Sequence, residues 1–198
     1  MRGILVAAVF VGLVGACGVP ADSEPKPIAA RDLPGELLNP NPGSSTSLPE
    51  SGATTVPVYM LESTPEGIRL VAVDRGVAEA GTPEERLVQL FGGTSDDETT
   101  AGITSSIPAG TVLRDVTVDE ESDEVTIDLS EDFFSIEGEA LAQAFAQIVW
   151  TATEPEAGGF SQVRFSVDGE PTAVLDGQGN NQEGPVRRAS YDEFAPLD

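Results

Sequence analysis

The side chains in this sequence that could do chemistry are carboxylates and hydroxyls, because the stronger catalytic groups are nearly absent. The 198-residue chain has no histidine and a single cysteine. Ser-His-Asp and Cys-His catalysis, histidine-ligated metals, thiolate zinc sites and intrachain disulfides are therefore excluded. Ser105 and Ser106 are adjacent hydroxyls, but the only lysine, Lys26, lies far upstream. Without a base to activate them, nucleophilic catalysis is not expected there.

Acidic residues are abundant, and carboxylate oxygens are the ligands that Ca²⁺ prefers. Runs of acids at 96–98 and 119–124, and the alternating oxygen ligands of 176–181, are candidates for a calcium site. Such runs are more often solvated loop charge, and the third segment lacks the terminal glutamate of an EF-hand loop. Two acids in a cleft could hydrolyse a glycoside, but no pair stands out. We predict no metal and no cofactor, with calcium binding by the acidic loops left open.

The charge of the chain restricts its partners. Ten Lys and Arg against thirty-four Asp and Glu give a net charge of −24. Nucleic-acid binding requires a basic surface that neutralises phosphates, so nucleic acid is excluded as a direct partner. The nine arginines against one lysine suit a high-GC source and favour an actinobacterial origin.

The N-terminus has the pattern of an export signal. A short positive start precedes an uncharged apolar run at 3–16, which is too short to span a membrane but suits a signal peptide. The run ends in Val-Gly-Ala-Cys, which resembles a bacterial lipobox, with Cys17 as the acylated residue. We predict a signal peptide at 1–16 and lipid attachment, as palmitate, at Cys17, which would hold the protein on the extracytoplasmic face of the cell membrane. The alternatives are an ordinary signal peptide or a buried free cysteine.

Residues 17–55 are predicted to be a disordered tether that follows the lipidated cysteine. This segment contains seven of the fifteen prolines and no aromatic residue. Such a composition buries too little apolar surface to offset the entropy of ordering the chain. A less favoured alternative is an arm that packs locally on the domain through Leu37 and Leu38.

The folded domain is expected at 56–175, followed by a loop-rich C-terminal tail at 176–198. Alternating and helical hydrophobic patterns predict an α+β fold in the order β-β-α-β-β-α-β-β, a mostly antiparallel sheet with two helices on one face. A capping box of Thr82 and Glu85 begins the first helix, and an acidic loop follows at 94–100. The predicted strands are 56–62, 68–75, 112–118, 125–129, 162–168 and 172–175, and the main helix is 137–153.

The main helix carries the candidate contact residues. Leu141, Phe145, Ile148 and Ala152 form its predicted core stripe. Gln147 and Thr151 lie one turn apart and are candidate ligand or partner contacts, as is Trp150. The structural alternative is that Gln147 and Thr151 bond to backbone groups near residues 103–111. For Trp150 the alternative is a core or partly buried aromatic.

Four segments in order resemble the GerMN domain of sporulation and spore germination proteins: ITSSIPAGT at 103–111, VTIDLS at 125–130, AQIVWT at 146–151 and VRFSVDG at 163–169. The resemblance covers about 56–175 in a single copy, and the glycine-rich stretch at 152–159 is longer than the pattern. It implies a non-catalytic module of exported bacterial proteins, often lipoproteins, with the small α/β fold of ring-building domains. The family has no established catalytic residues to carry over.

These observations together predict a lipid-anchored extracytoplasmic envelope protein rather than an enzyme. Its GerMN-like domain is expected to be a binding or scaffold module for envelope protein partners. One alternative is a module that binds peptidoglycan or another wall ligand, which an exposed Trp150 in a groove would favour. The other is a hydrolase that uses carboxylates, which would need two close acids with raised pKa values in a pocket.

Overall fold

A computed structural model describes residues 54–77, 81–155 and 158–197. The predicted signal peptide at 1–16, the lipid-attachment residue Cys17 and the tether up to residue 53 lie outside the described residues. The final two residues assigned to that tether, Thr54 and Thr55, already belong to the first strand. Within the described ranges, none of the helices has the length and apolar composition to cross a membrane.

The first sheet is built on a long hairpin. Strands β1 (Thr54–Thr64) and β2 (Gly67–Val77) pair antiparallel along their whole length, and the short strand β3 (Ile103–Thr104) pairs with the other edge of β1. The turn at 64–67 is closed by the Thr64 hydroxyl, which donates to the Gly67 carbonyl. Gly67 has a φ of +119°, a backbone conformation that favours glycine.

The second sheet has the order β4-β5-β6-β7. Its strands are β4 (Leu113–Asp119), β5 (Glu124–Leu129), β6 (Gln162–Val167) and β7 (Glu170–Pro171), and a small separate ladder joins β8 (Val174–Leu175) to β9 (Asn181–Gln182). Strands β4 and β5 form the predicted antiparallel hairpin. Strands β5 and β6 run parallel.

The helices begin at capping boxes or after extended residues. Helix α1 (Pro83–Phe91) starts at the predicted capping box, in which the Thr82 hydroxyl accepts from Glu85 N–H and the Glu85 carboxylate accepts from Thr82 N–H. Helix α2 (Asp96–Thr100) lies in the stretch predicted as an acidic loop, and that prediction is wrong. Ser95 and Glu98 form a second capping box there, a signal the sequence contains. Helix α3 spans Gly138–Ala152.

Helix α3 is the centre of the core. It packs against β1, α1, β6, β8 and a C-terminal 3-10 helix at Arg188–Phe194. The predicted stripe of Leu141, Phe145, Ile148 and Ala152 is buried. The Phe145 ring meets the rings of Phe133 and Phe165 edge-on, with centroids 5.0 and 4.9 Å apart. These contacts join α3 to the 3-10 helix at Glu131–Ser135 and to the second sheet.

The predicted α+β class with mostly antiparallel strands is confirmed. The prediction of a single sheet is wrong, because the strands divide into two main sheets. One strand pair, β5 and β6, is parallel. Helix α3 joins β5 to β6, and a crossover of this length allows two strands to run in the same direction. Hydrophobic alternation indicates a strand but not which strand lies beside it. The division into two sheets and the parallel pair were therefore not predictable from the sequence.

The residues beyond Leu175 are largely irregular, as the sequence suggested, yet they complete the core. Val186 pairs with Val163 by a backbone bridge. Tyr191 and Phe194 are buried, and the Tyr191 hydroxyl donates to the Leu175 carbonyl at 2.9 Å. The packed domain therefore extends past residue 175, at least to Phe194.

Candidate interaction site

Gln147 joins three parts of the fold and is fully buried. Its Oε1 accepts from Ser106 N–H at 2.9 Å and from the Ser105 hydroxyl at 3.3 Å. Its Nε2 donates to the Tyr59 carbonyl of β1 at 3.1 Å. The side-chain amide is thus hydrogen-bonded to β1 and to residues 105–106. This arrangement is the structural alternative that was considered for Gln147.

Thr151 lies one turn further along α3 and is also fully buried. Its Oγ1 accepts from Tyr59 N–H at 3.0 Å. Gln147 and Thr151 therefore satisfy the carbonyl and the amide of the same residue in β1. For Thr151 the partner is β1 rather than the segment 103–111 considered from the sequence.

Trp150 is partly buried and belongs to an aromatic and charged cluster. Its ring meets Tyr59 edge-on, with centroids 5.3 Å apart. The Arg188 guanidinium carbon lies 4.5 Å from the Trp150 ring centroid and 5.3 Å from that of Tyr59. Cation–π contacts of this kind stabilise by about 0.5–2 kcal/mol. Because Arg188 covers one face of the indole, that face is closed to a stacked sugar.

Arg188 also ties the C-terminal segment to the end of α3. Its Nη2 donates to the Trp150 carbonyl at 2.7 Å and to the Glu154 carboxylate at 2.8 Å, and its Nε donates to the Thr153 hydroxyl at 3.0 Å. The Tyr59 hydroxyl donates to the same Glu154 oxygen at 2.7 Å. Tyr59, Glu154 and Arg188 were not predicted as site residues, and their one signal in the sequence is the Arg187-Arg188 pair in a strongly acidic chain.

The tyrosines give a prediction for alkaline pH. Burial, and then the bond to Glu154, raise the pKa of Tyr59 to about 12, and burial raises the pKa of Tyr191 well above its usual range. Below pH 10 both phenols are protonated in the folded and unfolded chain, so their contribution to stability is complete. As the pH rises from 10 through 12, the unfolded chain ionises first and stability falls. We expect no tyrosinate absorbance near pH 10 until the domain unfolds.

That expectation is checked by ultraviolet titration of the native and urea-unfolded chain. The chain has only two tyrosines, so Tyr59→Phe isolates Tyr191. A reversible tyrosinate signal centred near pH 10 in the folded protein would contradict the burial of both phenols.

The acidic runs serve local structure. Residues 96–98 form the first turn of α2, where carboxylates stabilise the helix N-terminus. The Arg75 guanidinium lowers the pKa of Glu98, and donors from Ser122 and Glu121 lower that of Asp119. Burial would raise the pKa of Asp176, but bonds from Asn180, Gln182 and Gln178 outweigh it and lower the pKa. A general acid needs a raised pKa, so these three carboxyls do not suit that role.

The serine hydroxyls and the metal candidates form no reactive group. Ser106 Oγ donates to Gln143 Oε1 at 2.9 Å, and Ser105 Oγ accepts from Ile107 N–H while donating to Gln147. Neither hydroxyl bonds to a base. In the part of the chain that the structure describes, no three acidic, histidine or cysteine side chains come together as a metal-binding group.

Two cavities lie close to these residues. One of about 400 Å³ separates the end of α1 from the segment 105–111, and none of its lining residues is ionisable. Another of about 340 Å³ lies beside the Arg188 cluster, lined by Phe160, Arg187, Arg188 and neighbours. Trp150 does not line either of them. Gln147, Trp150 and Thr151 therefore do not come together around either of these two cavities.

The second sheet has an exposed edge strand rather than a cavity. Strand β4 ends the sheet, and five of its seven residues are exposed. Val118 is 48% exposed although it lies opposite the fully buried Val125. Val112, directly before the strand, is 52% exposed. The strand was predicted as part of a hairpin, but its position at the edge of the sheet was not predicted.

Comparisons with known proteins agree with this fold. The Germane family model, described as sporulation and spore germination, matches residues 57–173. The tandem GerMN domains of the Bacillus subtilis sporulation protein GerM superpose with a TM-score of 0.56 at 19% identity, over 75% of this chain and 49% of that one. This chain thus spans about half the length of that tandem structure.

Two further structures are similar. The first GerMN domain of Bacillus subtilis GerM has a TM-score of 0.48 at 16% identity, over 60% of this chain and 86% of that one. A candidate lipoprotein from Clostridium perfringens has a TM-score of 0.47 at 14% identity, over 76% and 97%. No curated protein matches the sequence.

Proposed function

Because this chain belongs to the Germane family of sporulation and spore germination domains, we propose that it is a non-catalytic module of the cell envelope that binds or scaffolds protein partners. One observation supports this most directly. Ser105, Ser106 and Gln147 are bonded within the fold, whereas the apolar side chains of Val112 and Val118 are exposed at an open strand edge. A surface of that kind suits association with another protein.

The proposal includes a lipid anchor at Cys17 on the extracytoplasmic face. Its support is the lipobox-like Val-Gly-Ala-Cys sequence after an apolar run of signal-peptide length. Two or three acyl chains on one cysteine bind a membrane stably, since each buried CH₂ contributes about 0.8 kcal/mol. An actinobacterial source and export by a signal peptide are parts of the same proposal.

The two alternatives have weaker support. A wall-ligand module would use Trp150 as an exposed platform, but Arg188 covers one face of that ring. A carboxylate hydrolase would use an acid with a raised pKa, whereas Glu98, Asp119 and Asp176 all have lowered pKa values. We therefore place protein partners first.

Replacing Cys17 tests the anchor. The Cys17→Ala variant of the full chain is expected to lose membrane retention, because no acyl chain can be attached to alanine. Membrane and soluble fractions are compared by immunoblot, with Cys17→Ser as a second non-acylated variant. If the variants stay in the membrane fraction as uncleaved protein, an uncleaved signal anchor replaces the lipid anchor.

Photo-crosslinking in living cells tests the partner. The domain has no lysine, so a photoreactive residue is placed at exposed positions such as Val118 and Glu66. We expect discrete crosslinked protein bands that depend on position. The mature chain is also centrifuged with purified sacculi at two salt concentrations, with and without Ca²⁺. Salt-resistant sedimentation without protein crosslinks would support the wall-ligand alternative and overturn the scaffold proposal.

A further inference from the structure

Strand β4 is the edge strand of the second sheet, and its core-facing side chains are incompletely covered. Val116 and Val118 lie opposite Ile127 and Val125, both fully buried, so all four share the face that packs on the core. Val116 is partly buried, but Val118 remains 48% exposed. No strand of the described residues lies beyond β4. A further strand there would continue the apolar layer and cover these valines.

The outer-facing side of the same edge is acidic. Asp115 lies opposite Asp128, and like charges in directly opposed positions destabilise a strand pair. Asp128 accepts from the Ser166 hydroxyl at 2.7 Å and from Gly169 N–H at 2.9 Å. Asp115 forms no ion pair within the described ranges, and Asp119 ends the strand. Basic side chains next to Asp115 would relieve its repulsion by Asp128, and Asp119, opposite Glu124, is a second acidic position on the same side.

The basic residues close to this edge are already paired. Arg114 pairs with Asp168, and Arg164 pairs with Glu124 at 2.8 Å. The hairpin turn adds Glu120, Glu121 and Asp123, which are exposed. The uncompensated charge along β4 and its turn is therefore negative.

From these contacts we propose that the β4 edge binds an extended segment of a partner protein as an added strand. In that segment apolar residues facing Val116 and Val118 alternate with basic residues facing Asp115 and Asp119. Main-chain hydrogen bonds to the open edge would supply affinity, and the alternating side chains would supply specificity. The inference rests on the proposed scaffold function and names the surface and the partner chemistry for it.

A second copy of the chain is a poorer occupant. Two chains of net charge −24 repel each other, and pairing two β4 strands brings Asp115 and Asp119 of both copies together. The acidic edge thus favours a basic segment over a copy of itself.

A designed peptide tests the edge directly. The probe is an amidated peptide in which valine alternates with lysine, added to the mature chain carrying Cys17→Ser. We expect saturable binding by fluorescence anisotropy and amide shifts in NMR spectra centred on β4. A version methylated at every second backbone nitrogen keeps its charge but cannot complete the ladder, and should bind at least about tenfold more weakly. Equal binding of both peptides would overturn strand addition.

Variants of the chain locate the site. Asp115 and Val118 are exposed, so replacing either with lysine should leave the fold intact. Asp115→Lys and Val118→Lys should each weaken peptide binding by about fivefold or more. Asp74→Lys is the matched control, an exposed acid on β2, the edge strand of the other sheet. Binding lost equally with Asp74→Lys would show general charge attraction and overturn the inference. Self-association of the unmodified chain in sedimentation, abolished by Val118→Lys, would assign the edge to a second copy.

Different experimental results would contradict the β4-edge inference and the scaffold proposal. If Asp115→Lys and Val118→Lys leave cellular crosslinks unchanged, the β4 edge is wrong while the scaffold function stands. If no protein crosslinks form at any exposed position of the unmodified chain, the scaffold function fails as well.

Discussion

A chain that ends at Leu175 is expected to lose its cooperative unfolding transition, although the family match itself ends at residue 173. The truncation removes Val186, Tyr191 and Phe194, which are 2%, 0% and 3% exposed. Burying a side chain of this size contributes roughly 1.5–3 kcal/mol, so the three together contribute about 4.5–9 kcal/mol. A domain is typically stable by only about 5–15 kcal/mol. The loss is therefore comparable to the whole stability.

Urea unfolding followed by circular dichroism and by the fluorescence of the single tryptophan measures this effect. The matched control ends at Ala195 and removes Pro196, the exposed Leu197 and the final residue. The control should unfold at nearly the same urea concentration as the full chain. A Leu175-terminated chain with an unchanged midpoint would show that the C-terminal residues are not needed for the core.

Replacing Gln147 with leucine should lower the free energy of unfolding by about 2–4 kcal/mol. The change leaves the Tyr59 carbonyl and Ser106 N–H without their side-chain partner inside the fold. Each buried polar group left unsatisfied costs about 1–3 kcal/mol, and the partly buried Ser106 N–H should cost the lower end of that range. Gln143→Leu is the matched control on the same helix, because among the described residues Gln143 bonds to the side chains of Ser106 and Glu139 and to no backbone group outside its helix. We expect about 1 kcal/mol or less for that variant.

The same pair of variants separates a positioning role from a ligand contact. If Gln147 only positions β1 and the segment 105–106, Gln147→Leu reduces stability while crosslinks per folded molecule stay constant. The opposite pattern, unchanged urea unfolding with lost crosslinks, would make Gln147 a partner contact. Comparison at equal folded fraction is essential, since an unstable variant also loses crosslinks through reduced abundance.

Much of the local structure was predictable because its signals lie within a few residues of each other. The capping box of Thr82 and Glu85 begins α1 as predicted, and the alternation of β5 buries Val125, Ile127 and Leu129. The missed helix α2 had the same kind of signal in Ser95 and Glu98. The ordered motifs also indicated the family, which the match over 57–173 confirms.

The contacts of the candidate site were not predictable from the sequence. Gln147 lies 88 residues from Tyr59 along the chain, and Arg188 lies 38 residues from Trp150. Periodicity shows which face of a helix is apolar but not which strand or loop will meet it. For this reason the amide of Gln147 could be read as a ligand contact or as a backbone partner, and only its position against β1 distinguishes the two.

Composition and hydrophobic pattern were enough to establish which chemistry is excluded and which class of fold the chain adopts. The absence of histidine and the charge of −24 follow from composition and need no coordinates. Three features became visible only in the folded chain: β5 and β6 are parallel, Arg188 covers Trp150, and Val118 is exposed at an edge. The physical reason is that composition and hydrophobic period are properties of short segments. Strand neighbours and side-chain exposure arise only when distant segments pack together.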